Sequence, residues 1–264
     1  MQKSRKPWRS FIFFLLVGVL AVLSLLPMQI ELLPQQLEEL GVPLELPVET
    51  MALLTLLNPL LLIIAGLLIG HFLAERTGFH SFIYEKDRYG KPLFPKVRAI
   101  FKISALLGVM GGVLIITADT ILQPFLPEAL HLSNAEASLG VFDLATRLLY
   151  GGIAEELMLR WGVMTLLVFI LWKIFQRKKN QPSSFIVWTG MILSALLFGL
   201  AHYGATAAAV DMTALIFVRM LFLNGLVGII YGWLYWKKGL EAGMIAHMAT
   251  HVTLILFSIL TSLI

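Results

Sequence analysis

The stretch Tyr150-Gly151-Gly152-Ile153-Ala154-Glu155-Glu156-Leu157-Met158-Leu159-Arg160 places three charged side chains at the start of a long apolar segment. It runs directly into residues 161–172, which contain no charged residue. An ionised side chain costs several kcal/mol near the centre of a bilayer, so charges at that depth usually face a bundle interior or a functional site. The stretch therefore predicts a membrane helix whose charges are paired or used inside the bundle.

The composition indicates the environment of the whole chain. Hydrophobic residues make up 58% of the 264 positions and charged residues 14%, with a mean hydropathy of +0.85. These values are far more apolar than those of a soluble domain, and they indicate an integral membrane protein. The apolar runs are continuous and do not alternate with polar residues, which argues against a β-barrel. The absence of cysteine excludes disulfides, thiolate nucleophiles and cysteine-bound zinc.

A helix needs about 20 apolar residues to cross the hydrocarbon core, and seven segments of the chain approach or exceed that length. They predict an all-α fold, a polytopic transmembrane helical bundle of about seven spans. We expect one integral membrane domain over residues 1–264, with the chemistry concentrated in a core of residues 141–264. The predicted spans are Phe11–Leu26, Met51–Leu73, Ala99–Ala118, Leu144–Trp172, Phe185–Tyr203, Ala214–Trp236 and Gly243–Ile264.

The charges of the connecting segments predict the orientation. Basic residues dominate the N-terminus, residues 75–98, residues 173–179 and the pair Lys237-Lys238, whereas residues 27–50 carry five glutamates and no Lys or Arg. Under the positive-inside rule, this pattern predicts a multi-pass protein of the cell membrane with a cytoplasmic N-terminus. The net charge of +4 then reflects topology and contact with the lipid bilayer. A nucleic-acid partner is not expected.

The two adjacent glutamates are expected to have different roles. Glu156 and Arg160 are four residues apart, the favourable order for an ion pair on one helical face. Glu155 points about 100° away around an α-helix and has no local cation. It can therefore face a neighbouring helix as a base or a ligand. The structural alternative is that these charges only pack and orient the helix.

Three histidines at helical spacing lie on later segments. His202 follows Phe198 by four residues on the fifth segment, and His247 and His251 are four apart on the seventh. If helix five continues to about residue 210 and helix seven starts near residue 240, each site histidine lies about 11 Å from its helix end at a 1.5 Å rise. Together with Glu155, they could hold a water molecule or a divalent metal such as zinc.

Several function classes can be weighed at this point. The chain lacks the His-Glu-x-x-His, Gly-x-Gly-Asp and Gly-x-Ser-x-Gly motifs of other intramembrane proteases, which leaves a glutamate and histidine chemistry. An ion-coupled transporter also uses intramembrane carboxylates and histidines, but the sequence shows neither repeats nor broken helices. A noncatalytic membrane scaffold or immunity protein is the third alternative.

The motifs Glu155-Glu156-x-x-x-Arg160, Phe198-x-x-x-His202 and His247-x-x-x-His251, in this order, resemble the CPBP family. This family contains the type II CAAX prenyl endopeptidases and bacterial relatives that include bacteriocin-processing and immunity proteins. The resemblance covers about residues 143–251, while the first three predicted spans match only as generic membrane helices.

The resemblance implies an intramembrane endopeptidase that acts on a membrane-associated or lipidated peptide or protein. By motif match, Glu155 is the general base, His202 its partner on the water, and His247 with His251 the oxyanion donors, while Glu156 and Arg160 support them. The last motif position is commonly Asn in the prenyl endopeptidases. A histidine there can donate to an oxyanion or complete a metal site of Glu155, His202, His247 and His251, so the cofactor is either a divalent metal or none.

Two further expectations concern polar and small residues. Arg219 and Asn224 on the sixth segment are polar at membrane depth, and a hydrogen bond to the site is one of the roles open to them. The pairs Gly108-x-x-x-Gly112 and Gly228-x-x-x-Gly232 are typical of helix-packing contacts, and so are Gly151, Gly152 and Gly199.

Overall fold

The computed structural model describes residues 6–39, 41–43, 45–131 and 140–263. Within these ranges the chain is helical, with short connections and no strand, which confirms the predicted all-α class. The helices are α1 (Trp8–Leu23), α2 (Leu26–Glu39), α3 (Val48–Thr55), α4 (Leu57–Leu73), α5 (Phe82–Tyr89), α6 (Phe94–Leu122), α7 (Val141–Ala145), α8 (Thr165–Phe175), α9 (Ser184–Ala201), α10 (Tyr203–Ala209), α11 (Ala214–Lys238) and α12 (Leu240–Ser262).

Six helical runs among the described residues are long and apolar enough to cross a membrane, and the bent pair of α1 and α2 makes up to seven. The predicted number of spans is therefore confirmed. The bend of 45° follows Leu23, and Pro27 lies in the first turn of α2, where a missing N–H is tolerated. The last residue predicted for the seventh span, Ile264, lies outside the described residues.

Several spans are longer than their apolar runs predict. The third extends over Phe94–Phe125 and the fourth over Val141–Phe175. The fifth covers Ser184–Ala209 because α10 continues directly after α9. Hydropathy predicts the end of a span where the apolar run ends, whereas the observed helices continue beyond that point. The predicted ends therefore come too early in the chain.

The fourth span departs from regular α-helical geometry. Residues Thr146–Ala154 and Leu157–Met164 form π-helical turns on either side of Glu155 and Glu156. Wide turns of this kind are rare and recur at functional sites. The expected α-helical offset of 100° per residue therefore does not hold along this span, and the two carboxylates are presented from a widened helix.

Glycines let the helices of the core approach each other closely. A Cβ at Gly108 would collide with the backbone carbonyl of Ala246, and one at Gly152 would collide with Met248. Gly162 meets Gly66, so the fourth span and α4 pack almost backbone to backbone. The packing role predicted for Gly108 and Gly152 is confirmed, and the contacts of Gly152 and Gly162 bring α12 and α4 against the span that carries the glutamates.

The loop between α4 and α6 folds against the bundle. Helix α5 is capped by Glu241 of α12, whose carboxylate accepts hydrogen bonds from the Ser81 hydroxyl at 2.6 Å and from the backbone N–H groups of Phe82 and Ile83 at 2.9 and 3.0 Å. Glu241 is only 6% exposed. A carboxylate at a helix N-terminus is favourable, so this contact joins the basic loop to the first turn of the helix that carries two site histidines.

Candidate active site

The structure brings the motif residues of three spans together. Helix α12 begins at Leu240 and the fifth span continues to Ala209, as the depth argument required. The Phe198 ring lies 4.9 Å from the His202 ring and 5.8 Å from the His247 ring, centroid to centroid. The histidines of the fifth and seventh spans therefore reach one level, beside the glutamates of the fourth.

Glu156 is the centre of a buried charge network. Its Oε1 atom lies 3.0 Å from a guanidinium nitrogen of Arg160 and accepts a hydrogen bond of 3.0 Å from Nδ1 of His247. The side chains of Glu156 and Arg160 are 0% and 2% exposed. Arg160 also donates to the carbonyl of Gly228 at 3.1 Å. The predicted ion pair is confirmed, and it is fully buried.

Aromatic rings enclose the guanidinium of Arg160. Its central carbon lies 4.7 Å from the centre of the Phe198 ring and 5.2 Å from that of Tyr231. Ring faces attract cations, most strongly where water is excluded. The phenylalanine of the second motif thus stabilises the arginine of the first.

Glu155 has a different environment. Its carboxylate is 17% exposed and lies 3.8 Å from Nε2 of His247, a distance longer than a hydrogen bond. His247 therefore stands between the two glutamates, bonded to Glu156 through one nitrogen and facing Glu155 with the other. This leaves the Glu155 oxygens available to a water molecule or a substrate.

His202 ends α9 and is held by its own helix. Its Nδ1 lies 2.8 Å from the carbonyl oxygen of Phe198. A carbonyl only accepts, so Nδ1 carries the proton and Nε2 is left as an acceptor in the neutral ring. The geometry thus fixes the tautomer that His202 presents.

His251 is stacked on His247, with ring centroids 4.9 Å apart. Both of its ring nitrogens are buried without a hydrogen-bond partner among the described residues. A side chain at position 151 would collide with the His251 ring, so Gly151 provides the space for it. An imidazole always carries at least one N–H, and here that donor is uncommitted.

Two cavities meet at these residues. The larger has a volume of about 720 Å³ and lies between α4, the fourth span and α9. The smaller, of about 210 Å³, includes His247, His251 and Asn224 in its wall. Four residues line both cavities: Tyr150, Glu155, Phe198 and His202. The predicted base and its partner therefore stand at the junction of the two cavities.

Sequence reasoning missed two tyrosines of the site. Tyr231 stacks on His247 at 4.5 Å and donates a hydrogen bond of 2.7 Å to the hydroxyl of Thr250. That hydroxyl donates in turn to the carbonyl of Gly108 at 2.8 Å. Tyr150 lines both cavities. A phenol within an apolar span needs a polar partner, and this signal could have identified both residues.

Arg219 and Asn224 form their hydrogen bonds away from the motif residues. Arg219 forms a buried ion pair with Asp119 at the end of α6, with a hydrogen bond of 2.7 Å from its Nε atom. The side-chain amide of Asn224 donates to the carbonyl of Met220 at 2.9 Å, although Asn224 does line the smaller cavity. Arg219 therefore joins two spans, and Asn224 contributes to the cavity wall without bonding to a motif residue.

The possible metal site of Glu155, His202, His247 and His251 lacks geometric support. Among the residues that the structure describes, no three histidine, aspartate or glutamate side chains converge as a metal ion requires. The lack of convergence decides this, because the hydrogen bonds of His202 and His247 use only Nδ1 and would leave Nε2 of each ring free for a metal. The donor set as arranged does not fit a metal.

Comparison with known proteins supports the resemblance of the motifs. Residues 137–253 match the family model described as Type II CAAX prenyl endopeptidase Rce1-like. Neither a curated protein nor a solved structure matches the chain. The matched region contains all seven motif residues and both cavity-lining tyrosines. The match over residues 137–253 therefore supports the CPBP family for this part of the chain, in agreement with the motifs.

Proposed function

We propose that this protein is an intramembrane endopeptidase that hydrolyses a peptide bond of a membrane-associated or lipidated peptide or protein. The observation that carries the proposal is the Glu155 carboxylate, which makes no hydrogen bond to another described residue at the junction of two cavities and lines both of them together with His202. The family supports peptidase chemistry. The catalytic core is residues 141–264 of one integral membrane domain.

The residues can divide the hydrolysis between them. Glu155 takes a proton from a water molecule whose second hydrogen is held by Nε2 of His202, and the hydroxide attacks the peptide carbonyl. His251 donates its free N–H to the developing oxyanion, and His247 donates from Nε2 when that nitrogen is protonated. Glu155 then returns the proton to the leaving amine. Donors fixed in advance supply a large part of such a rate enhancement.

Glu156 and Arg160 act through His247. The hydrogen bond from Nδ1 of His247 to Glu156 fixes the orientation of that ring, and Arg160 neutralises the buried carboxylate. Both residues are positioning residues, because neither lines a cavity in which a substrate could bind.

We place the protein in the cell membrane as a multi-pass protein with a cytoplasmic N-terminus. The basic connections support this orientation. Its partners are the lipid bilayer and a peptide or protein substrate, with no role for nucleic acid. The transporter alternative is less favoured, because the sequence shows no paired repeats of the kind that such carriers use.

The test is cleavage of a quenched fluorescent peptide library by the purified protein. We expect activity in the wild type and loss of activity in Glu155→Ala and in His202→Ala. Glu49→Ala, which removes an exposed glutamate of α3, is the matched control. Each sample is measured with and without a chelator, and we expect the chelator to have no effect. Unchanged activity in both site variants would reject the assignment.

A further inference from the structure

One end of the bundle is closed by aromatic side chains. Five rings, which we call the aromatic floor, lie between the site and the basic loops and are at most 7% exposed: Phe14, Phe79, Tyr84, Trp161 and Tyr235. Trp161 follows Glu155 by six residues along the fourth span, and its ring lies 5.9 to 6.4 Å from those of three other members.

The basic loop itself contributes to this closure. Phe79 and Tyr84 belong to the connection between α4 and α6, and the Phe79 ring packs 4.7 Å from that of Tyr235. The Tyr235 hydroxyl lies 2.8 Å from that of Thr165. The carboxylate of Glu241 fixes the adjacent α5. Water and peptide therefore have no open route from this end through the described residues.

The opposite end of the bundle is open. The larger cavity reaches Met28 of α2, Thr55 of α3 and Asn58 of α4, all of them exposed residues. Beyond His202, α10 contributes no buried residue, and Gly204 has no atom within 4 Å of where a Cβ would be. The mouth therefore begins at the ends of the spans that face away from the basic loops, and it continues along α4 to the exposed Leu62 and Ala65.

Charge gives this asymmetry a direction. Residues 75–98 carry six Lys and Arg against three acids, and residues 173–179 carry four Lys and Arg, whereas residues 27–50 carry five glutamates. The first two segments lie at the closed end and the third leads into the open mouth. Under the positive-inside rule, the closed end faces the cytoplasm.

We infer that the site is reached from the outer face of the membrane, and that its substrate is a peptide whose apolar segment occupies the larger cavity from that side. That the bound peptide is a substrate rests on the proposed function. The side from which it enters rests on the position of the cavity and on the charges of the connecting segments. The apolar lining of α4 and α9 suits an apolar segment, and Glu155 with His202 is the polar end of that cavity. The scissile bond therefore belongs to a segment exposed outside the cytoplasm.

The chain contains no cysteine, so single cysteines are unique targets for a membrane-impermeant maleimide in intact cells. Asn58→Cys and Thr55→Cys place the thiol in the wall of the larger cavity. Leu61→Cys is the matched control on the same helix, since Leu61 is 64% exposed and lies outside the cavity wall. Lys178→Cys reports on the basic end.

We expect labelling of Asn58→Cys and Thr55→Cys in intact cells. Leu61→Cys faces the lipid and should not be labelled. Lys178→Cys should be labelled only after the membrane is permeabilised. Labelling of Lys178→Cys in intact cells would mean that the chain is inverted. Cavity thiols that react only after opening would mean that the mouth is closed or faces the cytoplasm. Either result overturns the inference.

The measurement separates this inference from the proposed function. Maleimide labelling does not require catalysis, so an inactive protein with outward-facing thiols would reject the peptidase and keep the outer mouth. The opposite result is also distinguishable. If cleavage depends on Glu155 but the cavity thiols do not react in intact cells, the proposed peptidase function stands and access from the outer face is rejected.

Discussion

The closed and open halves of the bundle differ in whether their charged groups have an oppositely charged partner. In the closed half, Glu156 is paired with Arg160 and His247, and all three side chains are at most 5% exposed. In the open half, Glu155 lacks a direct partner and His251 has two unbonded nitrogens. Adjacent glutamates thus lie on either side of a boundary. Paired charges stabilise the fold, and unpaired groups beside a cavity are available for chemistry.

The largest expected effect comes from Glu155→Gln. An amide cannot take the proton of a water molecule, and general base catalysis contributes about 10²- to 10⁴-fold to rate. We expect kcat to fall by that factor while the thermal unfolding temperature stays near the wild-type value. The check is peptide cleavage together with a melting curve in detergent. If the variant unfolds instead, Glu155 stabilises the fold, as the paired glutamate of the closed half does.

The closed half should respond to Glu156→Gln with loss of stability. Removing one partner of a buried ion pair leaves an uncompensated charge and costs about 3–5 kcal/mol. We therefore expect a marked fall in the unfolding temperature. The control is the double variant Glu156→Gln with Arg160→Met, which removes both charges and should recover part of the loss. Melting curves of the three proteins decide this, and full stability of the single variant would contradict it.

Much of the fold and the site follows from local patterns. Continuous apolar runs give the spans, because the length of a helix across the hydrocarbon is fixed. Spacing of four residues gives the pair of Glu156 with Arg160 and places His247 and His251 on one face of their helix. These features depend on one helix at a time, which is why the sequence alone predicts them.

Features that depend on several helices could not be predicted in the same way. The apolar run of the third span ends at residue 118, so the sequence predicts that Asp119 lies in a connection. Its ion pair with Arg219 has no signal in the sequence. The π-helical turns on both sides of Glu155 have no pattern of their own in the sequence. The bridging position of His247 between two glutamates emerges only when α12 packs against the fourth span.

His251 tests how the open half uses an unbonded imidazole. The loss of one oxyanion donor costs about 10²- to 10³-fold in kcat, so His251→Ala should lose that much. An asparagine, the residue common at this position in the prenyl endopeptidases that the motifs resemble, can donate from its amide. His251→Asn should therefore retain most of the activity. Equal losses in the two variants, with chelator sensitivity in the wild type, would instead favour a ligand role.

The smallest expected effects concern two glycines, one packed tightly against a neighbouring helix and one with open space around it. Gly108 meets the backbone of Ala246, so a methyl group there forces α6 away from α12, and overpacking of this kind costs about 1–3 kcal/mol. Gly204 has open space around it, so a methyl group adds helix propensity and gains at most about 1 kcal/mol.

We therefore expect Gly108→Ala to lower the unfolding temperature and Gly204→Ala to leave it unchanged or slightly higher. Activity adds a second comparison, because α12 carries His247 and His251 while α10 only follows His202. A shifted α12 should lower kcat in Gly108→Ala, and Gly204→Ala should cleave as the wild type does. If both variants melt and cleave alike, the two ends of the bundle do not differ in packing as the structure indicates.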